Sequence, residues 1–120
     1  SIALKNLKMI ENLGVAYTIL SKENLKRYNF KKGDTEGFVN YGLRIEGVIV
    51  SVIFIEDSDE NIIKISFRSK NKIDVNKFAK KYFNGGGHKN ASGGFSNDSI
   101  IETENKFILS IKDFLRVWKN

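Results

Sequence analysis

The chain has 120 residues, 41% hydrophobic and 28% charged; 20 Lys and Arg outweigh 14 Asp and Glu, for a formal charge of +6. A chain of this length is expected to form one domain that buries roughly two-thirds of its unfolded surface. Its longest apolar run, residues 48–55, has the length of a buried strand rather than a membrane span. With no cysteine it builds neither a disulfide framework nor a thiolate site, which fits a cytoplasmic location. The positive balance favours an anionic partner, although a lysine-rich solvated surface gives the same sum; with no apolar run of spanning length, no membrane is expected as a partner.

The chain opens on Ser1-Ile2-Ala3-Leu4 without a signal-peptide pattern. Leu4, Leu7 and Ile10 fall on one helical face. Residues 1–14 are therefore expected to be the end of a longer interdomain helix, stopped by Gly14. Residues 15–120 then form the domain. Residues 15–20 read as a strand, and Ser21 can cap a short helix toward Tyr28. After the turn at Lys31-Lys32-Gly33, Asp34 or Thr35 caps a second helix through about Leu43. Residues 48–55 are apolar on both faces, as in a central strand covered on both sides. Residues 62–69 alternate: Ile63, Ile65 and Phe67 point one way, Lys64, Ser66 and Arg68 the other. The short polar link between these two strands predicts an antiparallel hairpin. Asp74 caps a helix with the buried stripe Val75, Phe78, Ala79 and Tyr82. Residues 91–95 read as a short strand, and Ser99 with Glu102 has capping-box spacing before a last helix that buries Phe107, Ile111 and Leu115. The sum is an α/β domain, a small mixed β-sheet flanked by helices.

Chemistry concentrates in the segment Asn84-Gly85-Gly86-Gly87-His88-Lys89-Asn90-Ala91-Ser92. Adjacent glycines can turn successive N–H groups into a concave nest for an anion, and the only histidine of the chain follows at once. A flexible helix-terminating loop with an idle histidine is the plain alternative. Arg68, at the polar side of a strand end, offers paired donors to phosphate oxygens. The helix carrying Asn40 is expected at the same end of the sheet, with Ser69 beside Arg68. Lys77, Lys80 and Lys81 lead into the glycines but also suit a helix C-terminus for structural reasons. The hairpin link places Asp57, Asp59 and Asn61 at calcium-loop spacing, yet Ile62 and Arg68 occupy the positions that need glycine and glutamate. No cluster has metal-ligand spacing, and no second histidine completes a nucleophilic site. These residues point to binding rather than bond cleavage.

The motif Gly85-Gly86-Gly87-His88 followed by Ala91-Ser92-Gly93 resembles the signature of the C-terminal, DHH-associated domain of DHH-superfamily phosphoesterases. Glu36-Gly37-Phe38-Val39-Asn40, Glu46-Gly47-Val48 and Lys64-Ile65-Ser66-Phe67-Arg68-Ser69 match in order upstream. The likeness is strongest to bacterial nanoRNase and pAp-phosphatase proteins, once labelled exopolyphosphatase-like. Asn84 stands where many members have a fourth glycine, and Ser92 replaces an alanine. The resemblance implies the substrate-binding half of a two-domain hydrolase of short RNA oligonucleotides or pAp. Its partner would be an N-terminal DHH catalytic domain of the same chain, carrying manganese; no cofactor is expected in this half. It implies phosphate contacts from Arg68, Ser69, Gly85, Gly86, Gly87, His88, Asn90 and Ser92, with Asn40 and Lys89 as weaker candidates. Three other readings remain open: an RNA-binding module like the C-terminal domain of alanyl-tRNA synthetase, a substrate domain for cyclic dinucleotides, and an interaction domain whose first and last helices form a homodimer surface.

Overall fold

The computed structural model describes residues 5–118. In chain order it contains β1 (Leu7–Ile10), a 3-10 turn (Glu11–Leu13), β2 (Val15–Leu20), α1 (Lys22–Arg27), α2 (Asp34–Arg44), β3 (Val50–Asp57) and β4 (Ile62–Ser69). It continues with α3 (Val75–Tyr82), β5 (Gly86–His88), β6 (Ala91–Ser96) and α4 (Ile100–Trp118). The strands form one six-stranded sheet in the order β1-β2-β3-β4-β6-β5. β2 and β3 run parallel, joined through α1 and α2, and every other neighbouring pair is antiparallel. This is the small mixed sheet flanked by helices that the periodicities predict.

Alternation along β4 gives the sheet two different faces. Ile63, Ile65, Phe67 and Ser69 are buried, whereas Lys64 is exposed and Ser66 and Arg68 are half-buried. On the core face Val52, Phe54, Ile65 and Phe67 pack with Phe78 of α3 and Phe107 of α4. Phe78 is the hub, with ring centroids 5.5 Å from Phe67, 5.3 Å from Phe114 and 6.2 Å from Phe107. Edge-to-face pairs of this kind add about 0.5–1.5 kcal/mol each beyond the apolar area they bury. On the other, open face a smaller cluster joins Leu20, Ile53 and Val39 beneath α1 and α2. Gly42 lets α2 lie directly on the sheet, since a β-carbon there would overlap the Ser51 hydroxyl. α2 packs on β2, β3 and β4. β6 and β5 lie past it, and their residues Ala91, Gly93 and Phe95 stay partly exposed.

The N-terminal helix expected over residues 1–14 is not what residues 7–13 form; Leu4 lies outside the described residues. Leu7–Ile10 is an edge strand paired antiparallel with β2, Leu7 opposite Thr18 and Ile10 opposite Val15. Over four residues an i, i+3 pattern does not distinguish the two structures, and the unpaired edge of β2 decides in favour of a strand. The second helix also starts differently: Gly33 holds the N-cap position without a side-chain bond, while Asp34 accepts from the Lys31 N–H at 2.9 Å. Ser21, Asp74 and Ser99 do cap their helices, accepting the N–H groups of Asn24, Lys77 and Glu102.

Candidate functional site

Asn84 leaves α3 with a left-handed φ of 53° and turns the chain back along the sheet. Gly86–His88 then pairs with β6, placing Gly86 opposite Gly93, Gly87 opposite Ser92 and His88 opposite Ala91. Close approach explains the glycines. A β-carbon on Gly85 would overlap the Gly93 carbonyl, and one on Gly87, at φ 151°, would lie 2.8 Å from the Ala91 oxygen. The glycine run is thus an edge strand and not the concave nest expected of it. Its N–H groups are partly engaged: Gly85 donates to the Ala79 carbonyl at 3.1 Å and Gly87 to Asn76 Oδ1 at 2.8 Å. Donors to an outside anion must therefore come mainly from side chains.

Register supplies them. Arg68 is opposite Ala91, and Ala91 is opposite His88. Directly opposed residues project to the same face, so Arg68 and His88 stand on the open face two strands, about 10 Å, apart. A single methyl group separates them. The next row, Ser66–Gly93–Gly86, carries almost no side chain, which leaves a bare floor beside the two donors. Arg68 is half-buried and its Nη1 donates to the Phe67 carbonyl at 3.0 Å, which steadies the guanidinium. His88 and Lys89 are exposed. Asn40, half-buried, belongs to the helix whose Gly42 rests on Ser51, and Ser51 is the partner of Arg68 on β3. α2 therefore borders the Arg68–His88 row.

Ser69, Ser92 and Asn90 are placed differently. Strand alternation turns Ser69 and Ser92 to the core face, where both are buried. Ser69 Oγ donates to the Ile73 carbonyl at 2.6 Å, and Ser92 Oγ donates to the Val75 carbonyl at 2.8 Å. The Asn90 amide donates to Ser69 Oγ at 3.0 Å and to the Asn71 carbonyl at 3.1 Å. The Val75 N–H, at the start of α3, donates to the Lys89 carbonyl at 2.8 Å. Together these bonds anchor the Lys89-Asn90 turn and so hold His88 in register with Arg68. Of the three lysines on α3, Lys77 and Lys81 stack on Trp118 and Tyr82 at 5.8 and 5.3 Å, while the stem of Lys80 runs beside Gly86.

Two residues of consequence carry little signal in the sequence. Asn76 is legible only as a polar residue in the first turn of α3; its bond to Gly87 depends on the hairpin folding back. Phe95 reads as an ordinary strand aromatic, yet it stands on the open face. Among the described residues no group of three or more His, Cys, Asp or Glu side chains is placed to hold a metal. No helix among them is long and apolar enough to cross a membrane.

Residues 12–116 match the model of the DHHA1 domain family. The chain is a DHHA1 domain. It is 37% identical over 100 residues to a probable bifunctional oligoribonuclease and PAP phosphatase NrnA of Streptococcus mutans, covering 83% of this chain and 31% of that protein. To the bifunctional oligoribonuclease and PAP phosphatase NrnA of Bacillus subtilis it is 35% identical over 89 residues, covering 74% and 27%. The structure of an exopolyphosphatase-related protein from Bacteroides fragilis superposes with a TM-score of 0.90 at 37% identity, over 98% of this chain and 34% of that one. The DHHA1 domain described here thus spans about a third of the length of these relatives.

Proposed function

We propose that this DHHA1 domain holds the phosphate of a nucleotide or short RNA for hydrolysis by a DHH catalytic domain of the same protein. The observation that carries the reading is the row Arg68–Ala91–His88 on an uncovered sheet face. A guanidinium presents paired, permanently charged donors, and an imidazole presents an N–H across the gap; a phosphate offers acceptors to both. Ala91, Gly93 and Gly86 leave room for it against the sheet. Ser69, Asn90 and Ser92 act behind this row by fixing the turn, and Asn40 and Lys89 border it. The names of the two NrnA relatives support short RNA and pAp as substrates, and the catalytic metal, manganese in this reading, belongs to the DHH domain. The part played by this chain is to bind and orient, and charge-assisted bonds of this kind contribute about 1.5–3 kcal/mol each.

An NMR titration of the chain with pAp and with a short oligoribonucleotide, wild type beside His88→Ala, tests the reading. Shifts centred on Arg68, Ala91 and His88 that weaken in the variant are the expected result. Saturation at the same ligand concentration in both proteins would refute it. A salt titration separates a compact phosphate site from a long RNA footprint, because each additional phosphate contacted on a single strand steepens the log–log slope by about 0.7.

A further inference from the structure

We infer that the open face carries a nucleobase subsite beside the phosphate row, built on Phe95 and on the groove between β4 and the start of α2; this rests on the phosphate reading above. Phe95 lies opposite Lys64 in the β4–β6 register. Its neighbours Ser92 and Ser96 bond to α3 and to Thr103 of α4 on the core face, so alternation puts Phe95 on the open one. Among the described residues it belongs to neither apolar cluster of the fold. A partly exposed aromatic ring on an open sheet face is a platform on which a base can stack.

Next to it, across Lys64 and Ser66, opens a groove of about 520 Å³. Leu25, Phe30 and Ile55 give it an apolar floor, and Thr35 and Ser66 place hydroxyls at its sides. The charges around the groove argue against a second phosphate. Asp57 and Asp59 line it together with Lys32 and Lys64, so the lining carries no net positive charge, and Lys64 is already paired with Asp57 at 3.0 Å and Glu60 at 3.5 Å. A nucleobase fits this lining: it is neutral and flat, and its edge donates from amino groups to carboxylates and hydroxyls while accepting from hydroxyls. The Arg68–His88 row and the Lys64–Phe95 row are four residues apart along the strands, about 13 Å. A lone phosphate does not span that distance, whereas a phosphate with its sugar and base extends along it. Ser66 lies midway on the same face, between the two recognition elements.

The test compares ribose 5-phosphate, which has no base, with pAp and the dinucleotide pApA, each titrated into the chain and followed by NMR. The base-bearing ligands are expected to add shifts at Thr35, Ser66 and Phe95 and to bind about tenfold more tightly than ribose 5-phosphate. Phe95→Ala should erase that advantage while leaving ribose 5-phosphate binding unchanged, and Ser66→Ala, which removes only a hydroxyl, should reduce it in part. If all ligands shift only the Arg68–His88 row with equal affinity, the nucleobase subsite is overturned and the phosphate reading stands. If no ligand perturbs that row, both fall.

Discussion

The core face and the open face of this sheet are lined by alternate residues of the same strands, yet they differ in almost every physical respect. Phe67 is fully buried among Phe78 and Phe83; Arg68, the next residue, is half-buried beside glycines and alanine. The core face carries two helices and one continuous apolar cluster. The open face carries one small cluster under α1 and α2, then a bare strip over β6 and β5. The comparison teaches that the apolar burial that stabilises the domain lies largely on one face, and the proposed phosphate row on the other. Small residues at positions 86, 91 and 93 add little to the core; at Gly86 a β-carbon would also crowd Asn76 and Lys80.

The sharpest way to break this comparison is to mutate neighbours on β4. Phe67→Ala removes a ring packed against two others and should destabilise the domain by about 3–5 kcal/mol, read from urea unfolding. Arg68→Ala should change stability by no more than about 0.5 kcal/mol. It should weaken phosphate-ligand binding about 10- to 100-fold, the loss expected for a charge-assisted bond. Arg68→Lys should restore the charge but only part of the affinity, since an ammonium lacks the planar fork. Equal losses of stability at positions 67 and 68 would mean that Arg68 is structural and the division between faces is false.

Much of this arrangement is legible in the residues themselves. The alternation of β4, the capping residues Ser21, Asp74 and Ser99, and the aromatic stripe of α4 all follow from local periodicity and composition. The polar side of β4 singles out Arg68, and the glycine run singles out His88. What local patterns do not contain is register. That Arg68, Ala91 and His88 form one row depends on how β6 pairs with both β4 and β5, a long-range fact. For the same reason Ser69 and Ser92 look like ligands in a linear motif, while alternation turns them inward to hold the turn. The strand at Leu7–Ile10 is hidden because four residues are too few for an i, i+3 pattern to distinguish strand from helix, even though its partner β2 begins only five residues after it.

A pH titration sharpens the comparison at the far end of the core face. Tyr17, 4% exposed, donates to Glu104 Oε2 at 2.7 Å, and Lys8 donates to the same oxygen at 2.8 Å. Burial, then the bond to Glu104, pushes the Tyr17 phenol well above its ordinary value of 10.0. The unfolded chain therefore loses this proton first, so stability is intact below pH 10 and declines as the pH rises above it. For Glu104 burial acts to raise the pKa, but the bonds from Lys8 and Tyr17 outweigh it and hold the carboxyl below its ordinary 4.5. Its contribution is present above that value and is lost as the pH falls below it. Tyr17→Phe should cost about 1.5 kcal/mol at neutral pH and flatten the alkaline decline. An unchanged alkaline limb would assign that decline to other groups. Ligand affinity, set on the opposite face, should not follow either limb's stability loss while the domain stays folded.

The smallest effect is expected where the two faces meet. Asn76 sits on α3, on the core side, and its Oδ1 takes the Gly87 N–H of the edge strand that carries His88. Gly87 is exposed, so water can replace the lost acceptor, and Asn76→Ala should cost only about 1 kcal/mol. The local consequence is larger than the global one. Without that bond β5 keeps its pairing with β6 and only the flanking bonds of Gly85 and Lys89 to α3, and its amides should exchange with deuterium faster while those of β3 and β4 do not. Affinity for a phosphate ligand should fall a few-fold, because His88 then spends less time in register with Arg68. Asn76→Asp keeps an acceptor at the same place and should preserve slow exchange at Gly87, yet its negative charge near the row should still weaken phosphate binding. The two variants thus separate the position of His88 from the charge around it. If Asn76→Ala lowers affinity with Gly87 exchange unchanged, Asn76 acts on the ligand by some route other than the hairpin, and the core face does not set the geometry of the open one.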